Sequence, residues 1–328
     1  MSNILPKNLN VKRFQTPPTF PETSRDFKKA AGQAVHISKA LEEAGYKKAS
    51  TEIKDCHTCR DVHPCSSGEH FITAQVYTCK NPVCPKCALM RMQDRITEIE
   101  PYVLRSIKEG HKVFFLTCSI PNEQYLPSVL KKTKKHFSNL INSPWWKGKI
   151  IGGAYQIETT FNKKENTWHP HIHGVAIYEK GCWIDQPEFV ERWLKITGDG
   201  RGFHVKRIHL DTARYKLREV LRYTVKPSEI PFDRFVELWR GIRKVRMFGR
   251  FGILNKNHRD FEAIQKQKRD KCICPKCEEK ILTDITIRQI YKLNGTWEIK
   301  SITYNSPPSE ITSVGTSKAK RKTAFAFP

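Results

Sequence analysis

Residues 168–178 read Trp-His-Pro-His-Ile-His-Gly-Val-Ala-Ile-Tyr, and no other run restricts the fold so tightly. Side chains alternate between the two faces of a strand. As a strand, this run sets His169, His171 and His173 in one row, with Pro170, Ile172 and Gly174 on the opposite face. Two imidazoles two residues apart can hold one divalent metal without any loop having to move.

The preceding segment supplies a partner. Residues 149–161 read as a strand, and Asn-Lys-Lys-Glu-Asn-Thr at 162–167 is turn chemistry. A four-residue turn over 163–166 pairs Phe161 with Trp168, Glu158 with His171 and Gln156 with His173. Glu158 then sits on the histidine face. His171, His173 and Glu158 make a three-ligand site with open positions, suited to Mg²⁺ or Mn²⁺ acting as a Lewis acid on a phosphate. His169 reads either as support behind these ligands or as a strand-edge histidine. A single histidine is usually an ordinary surface residue, but three at period two inside an apolar strand argue against that reading.

Around the hairpin, helix and strand signals alternate. Helices are expected at 26–45, closed by Gly45, and at 91–108, 127–142, 187–197 (stopped by Gly198), 211–225 (capped by Asp211) and 231–241. Strands are expected at 112–120 and 203–210. The order β-α-β-β-α-β-α predicts an α+β fold, an antiparallel sheet with helices on one face, plus small zinc-binding modules. The chain divides into an N-terminal segment with one helix (1–50), a cysteine-rich module (51–90), the main domain (91–252), a module with a second cysteine cluster (253–305) and a basic tail (306–328) that reads as disordered.

In the 211–225 helix, Glu219 and Tyr223 are four apart and Lys226 follows three later, so the three lie along one side. A tyrosine phenolate can attack phosphorus and form a covalent ester with DNA. Glu219 fits a general base for a later hydrolysis step, and Lys226 fits a phosphate-orienting cation. Tyr215, in the same helix, is the rival nucleophile. On its own the helix is weak support, because a helical tyrosine is ordinarily packing.

The chain carries 58 Lys and Arg against 33 Asp and Glu, a net charge of +25. That surplus points to a polyanionic partner such as nucleic acid. No apolar run approaches the roughly 18 residues of a membrane span, and residues 1–19 lack the hydrophobic core of a signal peptide. No membrane role and a cytoplasmic location are therefore expected. In that compartment the 11 cysteines need a role other than disulfides. Cys56-His-Thr-Cys59 and Cys79-Lys-Asn-Pro-Val-Cys84-Pro-Lys-Cys87 suggest a structural, four-cysteine Zn²⁺ site. With Cys65 the region holds six cysteines, so Cys59 and Cys79 compete for one place. Cys272-Ile-Cys274-Pro-Lys-Cys277 looks like half of a second zinc site, with His258 a candidate for the missing ligand.

Together these segments resemble the plasmid rolling-circle replication initiators of the His-hydrophobic-His endonuclease superfamily, in the subgroup with a glutamate four residues before a single tyrosine. Phe115-Leu-Thr-Cys-Ser-Ile-Pro-Asn122 is similar to the first family motif, 168–174 to the metal motif and 219–226 to the third. Arg243-Lys-Val-Arg-Met-Phe-Gly-Arg-Phe-Gly252 is similar to a basic stretch after the third motif. Cys118 departs from the first motif and reads as packing. The resemblance implies nicking at a double-strand origin, with Tyr223 as nucleophile and a 5′-phosphotyrosyl link, leaving a 3′-OH primer. It implies Glu219 as the base that activates water to end strand transfer, and His171, His173 and Glu158 as metal ligands. It also implies a zinc set of Cys56, Cys79, Cys84 and Cys87. The implied partners are plasmid origin DNA, double- and single-stranded, a host helicase and a single-strand DNA-binding protein. Two other readings are kept: a related relaxase or transposase, and a zinc-containing DNA-binding regulator without catalysis.

Overall fold

A computed structural model describes residues 25–200, 202–221, 230–255, 274, 277–291 and 296–304. The chain begins with α1 (Arg25–Glu43), α2 (Lys47–Lys54), β1 (Cys59–Pro64), β2 (Phe71–Val76) and α3 (Pro85–Lys108). The middle runs β3 (Val113–Ser119), α4 (Leu126–Asn142), α5 (Pro144–Lys147), β4 (Ile150–Asn162), β5 (Thr167–Tyr178), α6 (Gln186–Thr197), β6 (Phe203–Ile208) and α7 (Ala213–Leu221). Then come α8 (Phe232–Ile242), β7 (Phe248–Gly252), β8 (Ile285–Tyr291) and β9 (Trp297–Tyr304). From β3 to α7 the order is the expected β-α-β-β-α-β-α with the one-turn α5 added after α4, and the class is α+β.

The alternation in 113–119 and 167–178 becomes a five-stranded antiparallel sheet, β6-β3-β5-β4-β7. The long hairpin takes the register its turn predicts: Phe161 opposite Trp168, Glu158 opposite His171, Gln156 opposite His173. Asn162 fixes the turn, its Oδ1 accepting from the amides of Lys164 (3.1 Å) and Glu165 (3.3 Å). Asn166 takes a left-handed φ of 55°. Gly249 of β7 lies under the Tyr155 ring, where a Cβ would come within 2.5 Å of ring carbon. Gly198 ends α6 at φ 86°, as its sequence position suggests. α7 starts at Ala213, with the Thr212 carbonyl accepting from Lys216. Asp211 binds only the neighbouring Thr212 amide and is not the cap expected of it.

Helices were expected on one face; two layers are present. Leu116, Cys118, Ile172, Ala176 and Tyr178 face α4, α6 and α8 in the larger core. Val113, Val175 and Ile177 face the other way, against Met92, Ile96 and Ile99 of α3 and Leu217 and Val220 of α7. That second layer covers only part of its face, because the row continuing from Val175 is His173, His171 and His169, which no apolar helix can bury without cost. Cys118 is fully buried in the larger core, the packing role read from the sequence.

β1 and β2 pair with β8 and β9 in a second antiparallel sheet, β2-β1-β8-β9. Segments 51–90 and 253–305, read as separate modules, thus contribute two strands each to one sheet. It has a small core around Val62, Ile285 and Ile287.

Candidate active site and metal centres

β5 is clamped at its start. Trp168 is fully buried, its indole N–H donates to Glu237 Oε1 of α8 (3.0 Å), and its backbone exchanges two hydrogen bonds with Glu123. The next residues on the strand are therefore held firmly. His169, His171 and His173 are half-buried and stand along one face. His173 Nε2 is 2.9 Å from Glu158 Oε2, and its Nδ1 is 3.1 Å from Thr117 Oγ1 of β3. With the ring proton on Nδ1 and donated to Thr117, Nε2 keeps its lone pair on the Glu158 side, the tautomer a metal requires. The Phe115 ring stacks on His173 at 6.0 Å between centroids.

His171 Nε2 is 3.2 Å from His169 Nδ1, and its ring centroid is 6.0 Å from that of His173. His171, His173 and Glu158 share a face and a register. They are not among the groups of described residues whose ligand atoms all lie within 4.8 Å of one another. Burial lowers the pKa of His169, against the opposing pull of Glu165. Beside His169 a cleft of about 460 Å³ opens between Ser119, Asn122, Glu165 and Asp199.

α7 packs over the same face. Its Leu217 and Val220 enter the core there, which leaves Glu219 exposed on the outer side. Lys216 Nζ binds Glu219 Oε2 at 2.6 Å and lies 5.7 Å from the centre of the Phe115 ring. Lys216 therefore links the glutamate to the ring that stacks on His173. Tyr215 is exposed and adjoins Lys216. Tyr223 and Lys226 lie outside the described residues.

Two groups do converge. Cys56, Cys79, Cys84 and Cys87 place all four sulfurs within 4.8 Å of one another. Cys56 and Cys87 are 3.3 Å apart, and Cys79 and Cys87 3.6 Å. Tetrahedral zinc with Zn–S near 2.3 Å needs sulfurs about 3.8 Å apart, so the donor set and spacing fit Zn²⁺. Hydrogen bonds to Cys79, Cys84 and Cys87, then burial, drive the Cys56 thiol far up, while hydrogen bonds from Cys56, Cys79 and Cys84 drive Cys87 far down. Cys59 is not in this group: it stands in β1 opposite Ile290. Cys79 takes the contested place, because it follows β2 and turns back to Cys56, its amide donating to Cys56 Sγ (3.4 Å).

The second group is Cys65, His70, Cys274 and Cys277. Cys277 and Cys65 sulfurs are 3.7 Å apart, and His70 Nδ1 lies 3.9 Å from Cys65 Sγ. Burial raises the Cys65 thiol, but hydrogen bonds from Ser67, the His70 amide and Cys277 outweigh it and bring it to about 6. Half of this site comes from the β1–β2 turn. Cys272 and His258, expected here, lie outside the described residues. Among the described residues, three of the four non-glycine residues with positive φ directly follow a cysteine of these groups: His57 (61°), Lys80 (53°) and Glu278 (58°). Such backbone is strained, and it recurs where a chain must curl around a site.

The family model described as "Replication protein" matches residues 70–304, most of the chain, including the whole larger sheet and all of the smaller one except β1. The chain belongs to this family of plasmid replication initiators. It is similar to a Protein rep of Streptococcus pneumoniae serotype 2 (strain D39 / NCTC 7466), 26% identical over 247 residues that cover 67% of this chain and 74% of that protein. It is also similar to a Protein rep of Staphylococcus aureus, 25% identical over 189 residues, 54% of this chain and 82% of that protein. No solved structure matches. In this replication protein no described helix is long and apolar enough to cross a membrane.

Sequence reasoning missed Thr117, Lys216, Cys65 as a ligand and His70. Thr117 was readable, since it alternates with Phe115 in a strand that has to pair with the histidine strand. Lys216 precedes Glu219 by three residues, a spacing that brings helix side chains together. The pairing of Cys65 and His70 with cysteines more than 200 residues away leaves no local signal.

Proposed function

We propose that this replication initiator nicks one DNA strand at a plasmid origin through a covalent tyrosine intermediate. The observation that carries the reading is the alignment of Glu158 with His171 and His173 on the face that α7, bearing Glu219, packs against. Two imidazoles and a carboxylate fit Mg²⁺ or Mn²⁺, and an ion held there would polarise the scissile phosphate. Thr117 orients His173, and Trp168 fixes the strand that carries the histidines. The phenolate oxygen of Tyr223 attacks phosphorus as the P–O3′ bond breaks. The phenol proton goes to solvent or a nearby base. The departing oxygen takes up a proton and becomes the 3′-OH primer, and the 5′-phosphate stays on the tyrosine. Lys226 orients the phosphate. Glu219, held by Lys216, takes a proton from water. The water oxygen attacks the phosphorus at the regenerated origin as the P–O3′ bond breaks and the 3′ oxygen takes up a proton, which ends strand transfer. Zn²⁺ at the two cysteine groups is structural, since four protein ligands leave no open position. Origin DNA is the substrate, and a host helicase and single-strand DNA-binding protein act on the product strand.

A zinc-containing DNA-binding regulator without catalysis accounts for the charge and the cysteines, but gives the Glu158–histidine alignment no role. The test is supercoiled plasmid from the encoding replicon with Mn²⁺, comparing wild type with Tyr223→Phe, and mass spectrometry for a nucleotide–tyrosine adduct. An adduct on Tyr223, absent from the variant, is expected. An adduct on Tyr215 moves the nucleophile and keeps the chemistry. DNA binding without nick or adduct overturns the proposal.

A further inference from the structure

A second cleft, about 280 Å³, lies between the first zinc knuckle, the start of α3 and the approach to β7. Five of its lining residues are cations, Lys80, Arg91, Arg95, Arg243 and Arg246, and no carboxylate lines it. Among the described residues none of the five forms an ion pair. Arg95 is clamped over the Phe248 ring, 3.9 Å from its centroid, and donates to Gln156 Oε1. Burial, with Arg91 and Arg250 nearby, lowers Arg95 to about 10 against the opposing pull of Asp94 and Glu98. Cations that converge on a concave surface with no carboxylate in its lining attract an anion, and Arg side chains match phosphate oxygens.

The cleft is also placed with respect to the histidines. Gln156 lies directly opposite His173 in the β4–β5 register, and Phe248 opposite Gln156 in β7. One row across the sheet thus runs from His173 through Gln156 to Phe248, under Arg95.

We infer that this cleft binds backbone phosphates of single-stranded DNA lying across the histidine face, and so holds the strand beside the scissile bond. That the strand is the one nicked rests on the reading above; the phosphate chemistry rests on the cleft's own residues. Lys80, Arg243 and Arg246 are exposed, so replacing them leaves the core intact.

The experiment measures binding of a fluorescent single-stranded origin oligonucleotide by anisotropy, without divalent metal and in a Tyr223→Phe background, so that cleavage plays no part. Lys80→Gln/Arg243→Gln/Arg246→Gln should bind about tenfold more weakly or worse, with the salt slope reduced by about 1 to 2. A charge-matched control, Lys131→Gln/Lys135→Gln/Lys147→Gln on the opposite layer, should stay near wild type. Arg243→Lys/Arg246→Lys should retain most of the affinity. Equal losses in cleft variant and control would overturn the inference, as would wild-type binding by the cleft variant. Stabilisation by pyrophosphate that the cleft variant loses, with oligonucleotide affinity unchanged, would assign the cleft to a free phosphate and overturn the DNA assignment. Binding that behaves as expected in a protein that never nicks would uphold the cleft and remove the nicking reading. Nicking by a protein whose cleft variant binds normally would do the reverse.

Discussion

Glu158 Oε2 and His173 Nε2 are 2.9 Å apart across the β4–β5 hairpin, and Glu158 is nearly buried there. A buried carboxylate beside an imidazole is ready for a cation. Glu158→Gln keeps the shape and removes the charge. We expect its Mn²⁺ requirement for nicking to rise by on the order of 100-fold, with part of the lost activity restored at high Mn²⁺. An unchanged Mn²⁺ midpoint would remove Glu158 from the site.

Thr117 Oγ1 holds the Nδ1 side of the His173 ring at 3.1 Å and so orients Nε2 toward Glu158. Thr117→Val is nearly isosteric and deletes that partner, so it should weaken metal binding by about 10- to 100-fold while leaving the thermal midpoint almost unchanged. Thr117→Ser should recover the wild-type metal affinity. Direct Mn²⁺ titration checks both, and equal affinity in the valine variant would show that Thr117 only packs.

These two residues also mark where the sequence was legible. The histidine row, the Glu158 register and the position of Gly198 follow from period-two alternation and turn chemistry, which are local. Thr117 and Lys216 needed the third dimension, because one lies on a neighbouring strand and the other on a helix laid over it. Pairing of Asp61 with Arg288 joins segments 227 residues apart, and nothing in either segment alone encodes it. The cysteine spacings flagged metal, but only the fold separates Cys79 from Cys59 and joins Cys65 and His70 to Cys274 and Cys277. The contact of His171 with His169 is a side-chain choice that no sequence pattern carries.

The two ligand groups predict two zinc ions per chain. Metal analysis of purified protein should find about two. Cys274→Ser should lower this to about one and Cys59→Ser should leave it at two. Because the second group ties the β1–β2 turn to the segment before β8, chelation or Cys274→Ser should also expose the 277–304 region to protease. A Cys59→Ser variant that loses one zinc would contradict the assignment drawn from the fold.

Asp61 of β1 and Arg288 of β8 form a bidentate ion pair at 2.9 and 3.0 Å, with the Tyr77 hydroxyl donating to the same carboxylate. This pair joins the two halves of the smaller sheet. Burial raises the Asp61 pKa, but the bonds from Arg288 and Tyr77 outweigh it and hold the carboxyl below its ordinary value of 3.8. A carboxyl depressed by folding contributes its full stability above the unfolded value, and that contribution is lost as pH falls through the folded one. Arg288 is 43% exposed, so solvent screening limits the gain. Asp61→Asn should therefore destabilise by about 1–2 kcal/mol at neutral pH. The gap from wild type, read from urea midpoints, should stay constant down to about pH 4 and narrow below it. Acid also strips thiolate-bound metal, but from both proteins alike, so the difference between them isolates Asp61. A gap that widened as pH fell would mean that the carboxyl is held neutral rather than charged.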